Sequence, residues 1–91
     1  MATATMFARH TVNDYAAWRS VYEEVEPVRQ QYGCTGAEVL TDPNDKNDVF
    51  VIHRFPSVEQ AQGFASSDGL REAMGRAGVS GAPRIEIAVE A

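Results

Sequence analysis

Three aromatic side chains, Tyr15, Trp18 and Tyr22, follow one another at intervals of three and four in the stretch NDYAAWRSVYEEVEPVRQQY, and Val25 and Arg29 extend the same line. That spacing marks one face of a helix, so the three rings project together from one side. A face so rich in aromatics has to be covered by other elements, and strand-like segments lie on either side of it in the sequence. Asn13 is the expected N-cap, and Asp14 places a negative charge in the first turn, where the helix dipole favours it. Pro27 stands well inside the helical pattern. It removes a hydrogen bond and clashes with the carbonyl four residues back, so a kink or break is expected near Glu26. Gly33 is the expected residue just past the helix end.

The remaining segments read as strands and short helices. Residues 3–11, TATMFARHT, hold no Gly or Pro and suit a pleated surface. Met6, Ala8 and His10 point one way along it; Thr5, Phe7 and Arg9 point the other. Residues 34–41 form a second strand, with Gly36 a candidate bulge. TDPNDKND reads as a hairpin loop, its Pro, Asn and Asp being turn formers. It lacks the sixth-position glycine and distant glutamate of an EF-hand. Residues 48–55, DVFVIHRF, are apolar in both phases and read as a central strand. Ser57 with Gln60 three residues on is a capping-box pattern opening a helix that buries Val58, Ala61, Phe64 and Ala65. Ser67 or Asp68 caps a further helix striped with Leu70, Ala73, Met74 and Ala77. Gly78, Gly81 and Pro83 then read as a loop, and residues 84–90 alternate as a last strand.

The order strand, helix, strand, strand, helix, strand predicts an α+β, ferredoxin-like βαββαβ domain over residues 1–91. The crossover rule arranges its strands antiparallel in the order 4-1-3-2 with both helices on one face. The other face has no cover within the chain, and a second copy is the economical partner, so a homodimer through the helix-free face is expected.

Composition narrows the function classes. Thirteen acidic against eight basic residues leave a net charge of −5, which opposes a nucleic-acid backbone or an anionic membrane. No apolar run approaches the ~20 residues needed to span a bilayer. The first residues, MATATMFARH, lack the apolar core of a signal peptide. The lone Cys34 allows no intrachain disulfide. The cytoplasm is the expected location.

Chemistry is confined to few candidates. His is the side chain that titrates near neutrality unaided, and the chain has two, His10 ending the first strand and His53 late in the third. As antiparallel neighbours these strands set His10 near Val49 and His53 near Thr5, with the histidines roughly 15 Å apart. They are too far apart to act as a pair in one subunit or to share a metal, and no metal site or cofactor is expected. No nucleophile elbow, P-loop or dinucleotide fingerprint is present. The structural alternatives are plain: His10 capping backbone near Asn13 or Asp14, His53 a satisfied core histidine, and Trp18 and Tyr22 core aromatics. Arg54 and Glu86 fall on outward phases. The expected ligand pocket lies between the first helix and the sheet, lined by His10, Trp18, Tyr22, His53 and Phe64, with His10 and His53 the candidate bases.

Three motifs carry a family resemblance: Arg9-His10-x-Val12-x-Asp14-Tyr15-x-x-Trp18, the hairpin Asp42-Pro43-Asn44-Asp45, and Leu70-Arg71-Glu72-Ala73-Met74-x-Arg76-Ala77-Gly78-Val79 with Gly81 and Pro83. Together they resemble small bacterial proteins of the dimeric α/β-barrel group, similar to its antibiotic-biosynthesis monooxygenase-like members. The resemblance spans nearly the whole chain. It implies a homodimer whose two sheets face each other and a pocket between helices and sheet in each subunit. Such relatives include cofactor-free oxygenases of polyketide quinols, haem-degrading enzymes and muconolactone isomerases, as well as members of no known activity. Asn13, Trp18 and His53 are the residue types of the haem-degrading set, but in a different order and context. Two readings stand: a dimer that binds a small ligand, an aromatic one among the candidates, without catalysis, and a cofactor-free monooxygenase or isomerase acting on an aromatic or polyketide-like substrate.

Overall fold

A computed structural model describes residues 3–91. Met1 and Ala2, which the expected domain over 1–91 includes, lie outside the described residues. The apolar run Val49–Ile52 belongs to β3 (Asp45–Phe55). This strand pairs on one side with β2 (Gly36–Asp42) and on the other with β1 (Ala4–Val12), and β4 (Val79–Val89) closes the far edge against β1. All three pairings are antiparallel and the order is β2-β3-β1-β4, as the element order predicts. The fold is ferredoxin-like α+β. Between β1 and β2 run α1 (Tyr15–Glu24) and α2 (Glu26–Gln31); between β3 and β4 run α3 (Val58–Ala65) and α4 (Asp68–Arg76).

The two sheet faces differ as the alternation of side chains requires. Ala4, Met6, Ala8 and His10 of β1 are buried with Val49, Val51, His53 and Phe55 of β3, and Trp18 and Phe64 pack over them from α1 and α3. The opposite phase carries Phe7, which is 43% exposed, and Leu40, which is 51% exposed, beside half-buried Phe50 and Ile52.

Local chemistry explains the helix ends. Pro27 sits in the first turn of α2, where a missing N–H costs nothing. The expected break therefore falls at Val25, one residue earlier than Glu26. Gly33 takes φ +79°, the left-handed region that favours glycine, while the nearest atom to a Cβ there would be the movable amide end of Gln60. Ser57 Oγ accepts the Gln60 N–H at 3.2 Å, and Ser67 Oγ accepts the Leu70 N–H at 3.2 Å. Of the two candidates for the α4 cap, Ser67 is the one.

Several expectations need correction. Asn13 is not the N-cap of α1; Asp14 is, without a side-chain capping bond, and the Tyr15 N–H instead donates to Asn47 Oδ1 at 2.9 Å. Asn13 is held elsewhere, its Oδ1 accepting the Ser80 hydroxyl at 2.9 Å. The hairpin loop is only Pro43–Asn44, because Asp42 and Asp45 fold the backbone onto their own carboxylates through the N–H groups of Asn44 and Asn47. Gly36 pairs regularly with Arg54; the irregularities lie at Thr41/Asp42 and at Arg9/Thr11. The expected loop over Gly78, Gly81 and Pro83 is mostly strand, since β4 begins at Val79. Among the described residues no helix is long and apolar enough to cross a membrane.

Candidate functional site

The site grows out of β1 and β3. Register sets His10 opposite Val49 and Met6 opposite His53, one residue from the expected Thr5. The two histidines are thus four residues apart along neighbouring strands, about 13 Å at ~3.3 Å per residue. They do not touch. Over the gap lies the aromatic stripe of α1. The His10 ring is 5.6 Å from Trp18, Trp18 stacks on Tyr22 at 5.0 Å, and Tyr22 stacks on His53 at 5.9 Å. Phe64 of α3 meets the His53 ring edge-on at 5.4 Å. His10, Trp18, Tyr22, His53 and Phe64 all line one hollow between the helices and the sheet.

The hollow has a cavity volume of about 50 Å³, set within about 500 Å³ of atom-free space that runs out to solvent. Its outer wall is α4, in which Ala73 is the only buried residue, while Leu70 and Met74 are half-buried. The walls are otherwise apolar, which makes the polar groups conspicuous. His10 is 8% exposed and His53 3%. Among the described residues neither ring nitrogen of His10 has a hydrogen-bond partner, and His53 Nδ1 has none. Buried polar atoms are normally satisfied, so three orphans in one hollow mark a place where something polar belongs.

His53 Nε2 is the exception, sharing a hydrogen bond of 2.9 Å with Tyr22 Oη. A phenol is the stronger acid of the two and a neutral imidazole the stronger base, so the phenol donates. That assignment leaves the proton of His53 on Nδ1. Burial holds the His53 pKa down at about 4, with the nearby Arg29 cation adding to the effect. Burial also lowers the pKa of His10, against the opposing pull of Asp48. Burial raises that of Tyr22 against the pull of Arg29 and Arg19. The lowered pKa values of the two histidines favour uncharged imidazoles; His53 then has one free donor, Nδ1, and His10 one donor and one acceptor.

The spacing of the first helix puts Arg29 on the aromatic line, and the fold brings it into the site, which the sequence alone does not indicate. It is 3% exposed and lines the hollow. Its guanidinium lies 4.0 Å from the Tyr22 ring centroid, donates to the Tyr22 carbonyl at 2.9 Å and pairs with Glu26 at 3.0 Å. Glu26 is mostly exposed, so the cation is buried on its inner side without a buried counter-charge. Cys34 is half-buried outside the hollow, its thiol donating to the Gly36 carbonyl. Arg54 and Glu86 stand on the helix-free face, in ion pairs with Glu38 and Arg84.

Solved structures share the fold. A Bordetella bronchiseptica protein described as a candidate antibiotic biosynthesis monooxygenase superposes with a TM-score of 0.83 at 12% identity, covering 100% of this chain and 99% of that one. SnoaB, a cofactor-independent oxygenase from Streptomyces nogalater, gives 0.81 at 14% identity, with 100% and 95% covered. A Nitrosomonas europaea protein of unknown function gives 0.77 at 19%, with 99% and 90% covered. At these identities the likeness speaks for the fold alone. No curated protein sequence matches the chain. The family model for antibiotic biosynthesis monooxygenase matches residues 7–76, from β1 through α4. The chain belongs to the antibiotic biosynthesis monooxygenase family.

Proposed function

We propose that the protein is a homodimer that binds a flat, oxygen-bearing aromatic molecule in the hollow of each subunit. One observation carries the reading: the unpartnered nitrogens of His10 and His53 inside walls of stacked aromatic rings. Aromatic faces favour a planar ligand, and the imidazoles supply the few polar contacts that orient it. Ligand pockets typically run from ~300 to ~1,000 Å³, so a cavity of about 50 Å³ must widen on binding. The wall that yields is α4, in which Ala73 is the only buried residue. The dimer rests on cover: Phe7, Leu40, Phe50 and Ile52 form an apolar field on the helix-free face, flanked by ion pairs that neutralise its charges locally.

Titration with 2-naphthol tests the ligand reading. Trp18 is the only tryptophan, so its emission reports the hollow directly. Saturable quenching is expected, with NMR shifts of the His10 and His53 ring protons. Flat emission and unmoved ring protons up to the solubility limit of the probe overturn it.

A second reading is favoured by the neutrality of the buried, unpartnered His10, which suits a proton acceptor. A substrate giving up a ring proton to His10 becomes electron-rich enough to reduce dioxygen itself. A ring CH₂ and O₂ then become a ring carbonyl and water, with all electrons drawn from the substrate. Oxygen uptake with anthrone, yielding anthraquinone, should rise above the uncatalysed rate and fall back to it in His10→Phe. Uptake equal in both proteins sinks this reading and leaves the binding reading standing.

A further inference from the structure

Indole and phenol are the side-chain rings that give up an electron most readily, and the core places one of each in contact. Trp18 stacks on Tyr22 with centroids 5.0 Å apart and planes within 22° of parallel. The Tyr22 hydroxyl is in turn 2.9 Å from His53 Nε2, and those two ring planes lie within 14° of parallel. The phenol proton therefore meets the in-plane lone pair of a neutral imidazole. Tyr15 is the contrast. Its ring is 5.9 Å from Trp18, but Lys46 Nζ lies 5.1 Å from its centroid, and among the described residues its hydroxyl is hydrogen-bonded to no base.

We infer that Tyr22 is a redox-active residue: a one-electron oxidation of Trp18 passes to Tyr22, whose proton shifts at the same moment to His53 Nε2. This needs only the side chains of the chain itself and stands apart from the ligand reading. A phenol that loses an electron becomes a very strong acid, so a base must already be in place. Burial keeps the phenol protonated and the imidazole neutral, the two starting forms that the step requires. The Arg29 guanidinium, 4.0 Å from the Tyr22 ring centroid, opposes positive charge on that ring, so electron and proton leave together. The same cation opposes the imidazolium that results, so the proton returns once an electron is supplied. Tyr22 is thus a relay and not a store.

An organic peroxyl radical in the hollow is the class of oxidant that completes the balance. It takes one electron from Trp18 and a proton from water and becomes a hydroperoxide. Trp18 takes an electron from Tyr22, leaving a neutral tyrosyl radical and a His53 imidazolium. A reductant of the ascorbate class returns the electron to half-buried Tyr22 and releases a proton to water, while His53 returns the phenol proton. Over the cycle one hydrogen atom passes from ascorbate to the peroxyl radical, and the protein is unchanged.

Trp18 is the only tryptophan, so a laser flash that photoionises indole starts the oxidation at one place, with hexaamminecobalt(III) in solution removing the ejected electron. In the unmodified protein the green absorption of the tryptophanyl radical should give way to the sharp violet band of a tyrosyl radical, at a rate independent of protein concentration. In Tyr22→Phe the conversion should slow at least tenfold, while Tyr15→Phe leaves it unchanged. His53→Phe should slow it likewise. Heavy water should slow it at least twofold in the unmodified protein, which a merely structural role of His53 would not do. Electron paramagnetic resonance of the unmodified protein, frozen during the conversion, should show the tyrosyl radical coupled to an imidazole nitrogen. A green band that persists in the unmodified protein overturns the inference. So does a conversion equally fast in Tyr22→Phe, or a tyrosyl radical without the nitrogen coupling. A folded His53→Phe protein that converts as fast, or a rate unchanged in heavy water, overturns the proton transfer to His53 and the inference with it.

Discussion

Burial of His53 carries a consequence for stability that can be worked out with its sign. The imidazole has an ordinary pKa of 6.5, and the folded protein holds it down at about 4. Above pH 6.5 the group is neutral folded and unfolded, and its contribution is fully present. As pH falls from 6.5 towards 4 the unfolded chain takes up the proton first, so stability is lost across that window, by about 3 kcal/mol in all at 1.36 kcal/mol per pH unit. Below pH 4 both states are protonated and the loss stops. Denaturant melts from pH 7 to pH 4 should therefore show a slope in the native protein that His53→Phe reduces, the difference between the curves isolating this residue from His10. Parallel curves would mean that His53 is protonated in the fold and hydrated. Both histidines were legible as candidates because a polar ring in an apolar strand stands out. Their orphaned nitrogens were not, because satisfaction depends on what three other elements bring near. Arg29 shows the same limit. Its helical phase was readable, but that the cation would lie over Tyr22 depended on the helix break at Val25, which the sequence marked only through Pro27.

At the scale of elements the sequence spoke most clearly where one physical rule decides. The strand order follows from crossover geometry and from β3 being apolar in both phases. The capping box of α3 follows from Ser57 and Gln60 alone: the Ser57 hydroxyl donates to Gln60 Oε1 at 2.9 Å while accepting the Gln60 N–H at 3.2 Å. Gln60 Nε2 also reaches the Tyr32 carbonyl, tying the start of α3 to the end of α2. Ser57→Ala should cost about 1 kcal/mol, visible as a drop in Tm of ~4–8 °C for a chain of this size, and Ser57→Asp should recover most of it. An unchanged Tm in the alanine variant would show that the cap is replaced by water. Boundaries were harder where two residues compete for one role. Asn13 and Asp14 are both good N-caps, and the choice was made by Ser80 of β4 and the Gly78 carbonyl just before it, which engage Asn13. In the hairpin, the acidic residues read as loop formers extend the strands instead, because each closes a turn on its own backbone.

For the whole molecule the open question was which sheet phase meets the helices, and the structure answers it: Val49 and Val51 face inward, Phe50 and Ile52 outward. The outward phase joins Phe7 and Leu40 in a shallow concavity. Exposed apolar fields of several hundred Å² are uncommon on soluble monomers, and a stable interface needs ~800 Å² from each partner, an area that one face of a four-stranded sheet can supply. The charges on this face favour a like partner. Arg9 pairs with Asp48 at 2.8 Å, Arg54 with Glu38 at 3.1 Å and Arg84 with Glu86 at 2.9 Å, so a second copy meets a locally neutral surface. Because each copy would offer the same patch, the arrangement expected of the proposed dimer is two-fold. Sedimentation at micromolar concentration should give twice the 9.9 kDa of one chain. Two substitutions on adjacent residues of β3 then separate interface from core. Ile52→Asp places a carboxylate on the outward phase and should yield a folded monomer with the β-sheet and helix signal intact. Val51→Asp places it among residues that are almost fully buried and should abolish the fold, since an unpaired charge there costs more than a domain of this size can spare. A native particle of one chain's mass, or an Ile52→Asp protein that remains dimeric, would show that the apolar face is covered some other way.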